Sequence, residues 1–283
     1  MKCNIIGAGR LGKNIARALH SAQVISAPTI CNRSLESAKR ACKEIGAGSA
    51  VSQLTQLPEA EITWLCCNDD VIPLVVAELV QAANLKPGSF VVHSSGVLNS
   101  SLLTPLKRLG CSVASLHPLK AFKTGYVDAA AFHQVDCVLE GDILVCDWLK
   151  KSFNQLGAYV TNMLPENKAV YHAAACIASN YLVTLAAYSE ELLLNAGLPA
   201  EQARRMLINL VQGNINNIQQ VSAIKEALTG PLVRGDVNTI ALHLDALQNP
   251  QLRLLYQAAG QATLALTALT NEQKEQIENL LGE

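Results

Sequence analysis

Short apolar runs alternate with segments of helical period over the first 164 positions. Strand candidates cover residues 3–6, 23–31, 50–51, 62–67, 90–93, 113–117, 135–139 and 158–163. Helical patterns fill residues 12–22, 35–45 and 71–84 between them. Such alternation predicts an α/β fold with a doubly wound, mostly parallel sheet. Ser34 stands where an N-cap would open the 35–45 helix, and Gly46 where a left-handed residue would close it. Beyond Pro165 the strand pattern stops. Helices are expected at 165–195, 199–219, 222–229, 237–248, 250–269 and 271–281. Gly197 ends the first of these, Pro199 suits position N1 of the second, and Thr270 with Gln273 forms a capping box for the last. The 165–195 helix would be ~45 Å long. The pattern predicts two domains, 1–164 with the sheet and 165–283 all helical.

Gly7-Ala8-Gly9-Arg10-Leu11-Gly12 follows the first strand and opens the first helix. This is the G-x-G-x-x-G loop. Its first glycine permits a tight turn, its second lets a pyrophosphate approach the backbone, and its third lets helix and strand pack closely. The helix start then offers free N–H groups to an anion. The second strand ends Cys31-Asn32-Arg33-Ser34. An NAD site commonly places Asp or Glu here for the ribose 2′-hydroxyl. Neutral Asn32 followed by Arg33 favours a 2′-phosphate, which a guanidinium grips with paired donors. The first 45 residues hold eight basic and two acidic side chains, a net of +6. NADP is therefore the expected cofactor, held by Gly7, Gly9, Arg10, Leu11, Gly12, Asn32, Arg33 and Ser34.

Composition narrows the remaining possibilities. The 283 residues carry a net charge of −1, with 50% hydrophobic and 4% aromatic residues. Disorder is excluded, and a nucleic-acid partner is not expected from so balanced a charge. The nine cysteines are scattered, without a C-x-x-C pair or a Cys/His ladder. That usage suits a reducing cytoplasm and gives no reason to expect a metal. Residues 172–189 lack Asp, Glu, Lys and Arg, but His172, Asn180 and many alanines fit a buried or dimer-facing helix better than a membrane span.

Ligands in open α/β sheets sit beyond the carboxyl ends of the strands. There the chain places Asn68-Asp69-Asp70, His93-Ser94-Ser95-Gly96 and His117-Pro118. Ser94 and Ser95 suit a substrate carboxylate or carbonyl, with Gly96 allowing close approach; ordinary turn chemistry is the other reading. His117 is a site residue or a structural histidine, and Asp69 and Asp70 read as helix caps. In the helical part Lys168 and His172 share a face with Asn180, which suits a cleft helix supplying a proton. The bland reading is a solvated lysine and a core histidine. In Gly230-Pro231-Leu232-Val233-Arg234-Gly235-Asp236, Arg234 either pairs with Asp236 or reaches an anionic substrate.

These segments together resemble a family assigned as oxidoreductases that join a Rossmann-like domain to a C-terminal domain of unknown function 2520. The resemblance rests on Gly7–Gly12, Asn32-Arg33-Ser34, His93–Gly96, Leu116–Leu119, Tyr171-His172-Ala173-Ala174 with Asn180, and Gly230–Asp236. It extends in architecture to pyrroline-5-carboxylate reductases, deazaflavin-dependent NADP reductases and β-hydroxyacid dehydrogenases. It implies a 6-phosphogluconate dehydrogenase C-terminal-like helical domain and a homodimer formed through those helices. The β-hydroxyacid dehydrogenases use a Ser-Gly-Gly loop and a Lys-and-Asn pair. Ser95-Gly96 and Lys168 correspond, whereas Val97 replaces the second glycine and His172 the asparagine. The combined expectation is a cytoplasmic NADP(H)-dependent oxidoreductase acting on a small carboxylated carbonyl, imine or alcohol. Lys168, His172 and Ser95 would serve catalysis, and Ser94, Ser95, Gly96, His117, Asn180 and Arg234 would contact substrate. The alternative is a non-catalytic NADP(H)-binding sensor or partner-binding protein.

Overall fold

The computed structural model describes residues 1–82 and 84–282. Two compact units divide the chain, Met1–Asn180 and the remainder from Tyr181. In the first, strands β1 (Cys3–Ile6), β2 (Thr29–Cys31), β3 (Ser49–Val51), β4 (Ile62–Leu65), β5 (Phe90–His93), β6 (Ser112–Pro118), β7 (Asp136–Gly141) and β8 (Tyr159–Asn162) form one sheet. Their order is β3-β2-β1-β4-β5-β6-β7-β8. Every neighbouring pair is parallel except β6 and β7. Helices α1 (Arg10–Ser21), α2 (Leu35–Ile45), α3 (Ile72–Ala82), α4 (Thr104–Lys107), α5 (Ile143–Gln155) and α6 (Lys168–Cys176) complete the unit.

Strands covered on both faces read as unbroken apolar runs, and β1 and β4 are buried throughout. Alternate residues serve opposite faces. Ile5, Ile30, Trp64, Val92 and Ala114 pack with residues of α1, α2 and α5. Ile6, Cys31, Leu65, Val91 and Val113 pack with those of α3 and α4. The expected caps form: Ser34 Oγ accepts from Ser37 N, and Gly46 closes α2 at φ +80°. The strand expected over 23–31 is shorter. Gln23 takes φ +58° and Pro28 has no N–H to donate, so the ladder begins at Thr29. The helix expected over 71–84 starts at Ile72 after a tight turn and is described to Ala82; residue 83 lies outside the described residues.

The strands end at Asn162, and the unit containing them runs on to Asn180 because Lys168 and Tyr171 of α6 hydrogen-bond to the β6 end. The helix expected over 165–195 forms with one irregularity, a π turn at Ile177–Tyr181. By length and a mean hydropathy of 1.3 it passes as a membrane span, with none of the apolar window buried. Its first turn, however, is fastened to the sheet by the buried Lys168. Beyond that turn Val170, Ile177 and Val183 are exposed, so of the two expected settings, buried or dimer-facing, the helix is not buried within its own chain.

The second unit holds α7 (Leu182–Asn195), α8 (Ala200–Gln220), α9 (Pro231–Arg234), α10 (Val237–Ala246), α11 (Pro250–Leu264) and α12 (Asn271–Gly282). Pro199 is the N-cap of α8 rather than its first residue. Thr270 and Gln273 exchange both capping-box hydrogen bonds. The helix expected over 222–229 is only a tight turn at Ile224–Ala227, because Ala223 and Leu228 are extended on either side. The rigid turn expected at 229–236 contains the single helical turn α9, opened by Pro231 and closed by Gly235 at φ +75°. Ile240, Leu244, Leu264, Ile277 and Leu281 form this unit's core.

Candidate active site

The glycine loop joins β1 to α1 at the carboxyl edge of the sheet. Gly7 takes φ +86°, and a Cβ there would lie 2.7 Å from Cys67 N. A Cβ on Gly12 would meet Gly7 O at 2.8 Å and Cys66 Cβ at 3.1 Å. Both glycines are thus required by packing on the chain that leaves β4. Gly9 differs, since a Cβ there meets nothing within 4 Å. Gly9 also caps α1 without a side-chain acceptor, and the first turn carries no acidic residue. The helix start is therefore open to an anion. Arg10 is exposed, Leu11 half-buried. Asn32 Oδ1 accepts from Ala8 N at 2.7 Å and Asn32 Nδ2 donates to Ser37 Oγ, so this side chain holds the loop in shape. Ser34 is occupied as the α2 cap. Arg33 is exposed and makes no ion pair among the described residues. These residues fit the phosphates of a dinucleotide: open space beside Gly9, uncapped N–H groups and a guanidinium without an ion-pair partner among the described residues.

Two strands further along the edge, the loop after β5 turns sharply. His93 Nδ1 accepts from Ser95 N at 3.2 Å, and Ser95 Oγ accepts from Val97 N and Leu98 N at 3.3 and 3.0 Å. The Ser95 hydroxyl thus stabilises the turn and keeps only its O–H to donate. Ser94 is buried beside the Cys66 thiol, which burial pushes up to about 12. Gly96 faces two imidazoles. A Cβ there would overlap His172 Cδ2, lie 2.7 Å from His172 Nε2 and lie 3.0 Å from His117 Nε2. The rings of His117 and His172 are 5.6 Å apart. His117 Nδ1 shares a 2.9 Å hydrogen bond with the Tyr171 hydroxyl, and His172 Nδ1 lies 3.5 Å from Cys176 Sγ. Lys168, Tyr171 and His172 occupy neighbouring turns of α6, which is how one helix supplies all three.

Lys168 is 1% exposed. Its Nζ donates to Ser95 O at 2.8 Å and to Ser115 Oγ, and lies 3.9 Å from Glu140 Oε1. The reading of Lys168 as a solvated first-turn residue is therefore excluded. Burial holds its ammonium down to about 8, against the pull of Glu140 and Asp69. Burial also lowers His93 and His117 to about 4, helped by the Lys168 charge and, for His117, foremost by His172. Both imidazoles are neutral at neutral pH. Burial raises the Tyr171 phenol to about 12, with Cys137 and Asp136 adding to it.

Asn180 falls in the exposed π turn. Arg234 lies in the second unit, where its Nε and Nη2 donate to Asp236 Oδ2 at 2.8 and 2.6 Å. Its pairing partner is thus Asp236, whose carboxylate does not cap α10. The sequence pattern marked neither Glu140 nor Ser115. A carboxylate directly after the short apolar run 137–139 is the available signal, but only strand pairing reveals what it faces. A Gly96→Ala variant is expected to lose about 1–3 kcal/mol from overpacking against the imidazoles. In a double-mutant cycle with His172→Ala the two losses should add to less than their sum, because the overlapped ring is gone. Strict additivity of the denaturation free energies would contradict the contact.

Residues 1–118 match the Rossmann-like domain family, and residues 135–263 match the family described as a domain of unknown function, DUF2520. No curated protein matches the chain. Among solved structures, a Bacteroides fragilis protein assigned as an NADP oxidoreductase superposes with TM-score 0.79 at 21% identity, covering 93% of this chain and 98% of its own. A Thermotoga maritima protein superposes with TM-score 0.68 at 26% identity, covering 93% and 97%. The Plasmodium falciparum pyrroline carboxylate reductase, solved with NADP bound, superposes with TM-score 0.59 at 12% identity, covering 98% of each chain. At these identities the likeness is one of fold. The chain thus joins a Rossmann-like domain to a domain of unknown function 2520, the pairing that its motifs imply.

Proposed function

We propose that the protein is an NADP(H)-dependent oxidoreductase acting on a small, carboxylated carbonyl, imine or alcohol. One observation carries this reading. The open Gly9 cradle and the two imidazole Nε2 atoms gathered on Gly96 lie at the carboxyl edge of the same sheet. The neighbouring folds named as an NADP oxidoreductase and a pyrroline carboxylate reductase support the reaction class.

The Gly7–Gly12 loop and the start of α1 would hold the pyrophosphate, with Asn32 keeping the loop in register. Arg33 would grip the 2′-phosphate. The nicotinamide supplies or accepts the hydride when bound. Hydride addition to a carbonyl or imine carbon leaves an electron pair on oxygen or nitrogen, which must take a proton. His172 is the donor in this reading, because its Nε2 faces the edge while Lys168 Nζ is enclosed by Ser95 O, Ser115 and Glu140. His117 stays neutral and is oriented through the Tyr171 hydroxyl. Lys168 pins the Ser95 carbonyl, and the Ser94 and Ser95 hydroxyls would orient a substrate carboxylate.

A homodimer through the C-terminal helices accompanies this reading. The exposed apolar residues Val170, Ile177, Val183, Leu185 and Leu210 support it. The nine unpaired cysteines support a reducing cytoplasm.

Three measurements test these statements. Arg33→Ala is expected to weaken NADPH binding about 10- to 100-fold in a fluorescence titration and NADH binding far less; equal losses would overturn the 2′-phosphate assignment. In an NADPH-oxidation screen of small carboxylated carbonyls and imines, His172→Ala should lower kcat about 100-fold or more at unchanged NADPH affinity. Full turnover in both His172→Ala and Lys168→Met would sink the catalytic assignment, and NADPH binding without oxidation of any compound would favour a sensor. Light scattering at micromolar concentration should report a dimer, and a monomer would refute the helical interface.

A further inference from the structure

Glu140 has the surroundings of a functional group although no motif marks it. β7 runs antiparallel to β6, and this register sets Glu140 opposite Ser115, which pairs in turn with His93 on β5. Residues paired across strands project to one face, so the three form a row under the 94–100 loop. Glu140 is 5% exposed. Its Oε1 accepts from Ser100 N at 2.7 Å, and its Oε2 accepts from Ser100 Oγ at 2.6 Å. Two donors and one cation thus face this single carboxylate. An ammonium buried as deeply as that of Lys168 would shed its proton without an opposing charge.

We propose that Glu140 is the positioning residue that keeps Lys168 protonated, and that this charge, bonded to Ser95 O, sets the shape of the 94–100 loop against which the two imidazoles pack. The proposal deepens the reading of this edge as the reaction site and rests on it for its functional meaning. Other groups act on the same charge. Asp69, from the turn after β4, favours the ammonium, whereas His93 and His117 are neutral and add no counter-charge. Cys146 on α5 is held protonated, first by burial and then by the Glu140 charge, so it does not compete for Lys168. Ser100 is the hinge of the arrangement: it fixes Glu140 with both its N–H and its hydroxyl, and it stands in the loop that Lys168 fastens at Ser95. One carboxylate therefore secures both ends of the turn.

The test is an NMR pH titration of 15N-labelled lysine side chains in the full chain, with the Lys168 resonance identified by its loss in Lys168→Met. Glu140→Gln is expected to lower the Lys168 midpoint by about one pH unit or more, and Glu140→Asp to restore part of that shift. The amide resonances of residues 95–98 should move alike in Glu140→Gln and Lys168→Met. A wild-type midpoint in Glu140→Gln, or unmoved loop amides, would overturn the proposal. Should Glu140→Gln fail to fold, Ser100→Ala removes one of the two bonds to the carboxylate. A smaller downward shift is then expected, and an unchanged midpoint overturns the proposal equally. An NADPH titration of the wild type separates the two readings: absent binding would fell the proposed function while leaving the Glu140–Lys168 coupling intact.

Discussion

The ammonium of Lys168, taken out of water at the edge of the sheet, constrains everything around it. A buried charge costs several kcal/mol unless partners face it closely. Here the partners come from three separate places in the chain: Ser95 O from the loop after β5, Ser115 Oγ from β6 and Glu140 from β7. Satisfying one cation therefore locks the loop, two strands and α6 into one arrangement. Gly96 is placed by that arrangement, and through it the distance at which the two imidazoles stand.

The carboxyl edge carries two opposite electrostatic solutions. Around Gly9 the positive charge is unopposed: the N–H groups of α1 lack a cap, its first turn lacks an acid, and Arg33 lacks an ion-pair partner among the described residues. Around Lys168 the positive charge is answered by Glu140 and enclosed. An anion is attracted to the first region far more than to the second. In the proposed function, the polyanionic end of a dinucleotide and the proton chemistry would thereby be kept apart along the same sheet. His93 and His117, neutral because of burial and the neighbouring Lys168 charge, fit the second region, where another cation would be disfavoured.

Much of this was legible residue by residue. Ser34, Gly46, Gly197 and the Thr270–Gln273 box do locally what their types demand, because a cap depends on backbone only a few positions away. The glycine loop was equally legible, since each glycine answers a constraint of one turn. Where local propensity and context disagreed, context prevailed. Residues 23–28 look like strand, but the N–H that Pro28 lacks delays the ladder to Thr29. Residues 222–229 look helical, but their extended ends leave room only for a tight turn. Ser95 serves the turn, since its oxygen accepts from Val97 N and Leu98 N, and its O–H is left to donate.

The order of apolar and polar positions by itself determined the class of fold, the glycine loop, the basic second strand end and the spacing that puts Lys168, Tyr171 and His172 on one helix. Those features depend on neighbours within a few residues, where backbone geometry repeats. The partners of Lys168 were decided only by the tertiary structure. Ser115 and Glu140 lie 25 positions apart and meet because β7 reverses direction against β6. No local signal encodes that reversal. It exists only once β7 is paired on the free edge of β6, in the register that sets Glu140 opposite Ser115.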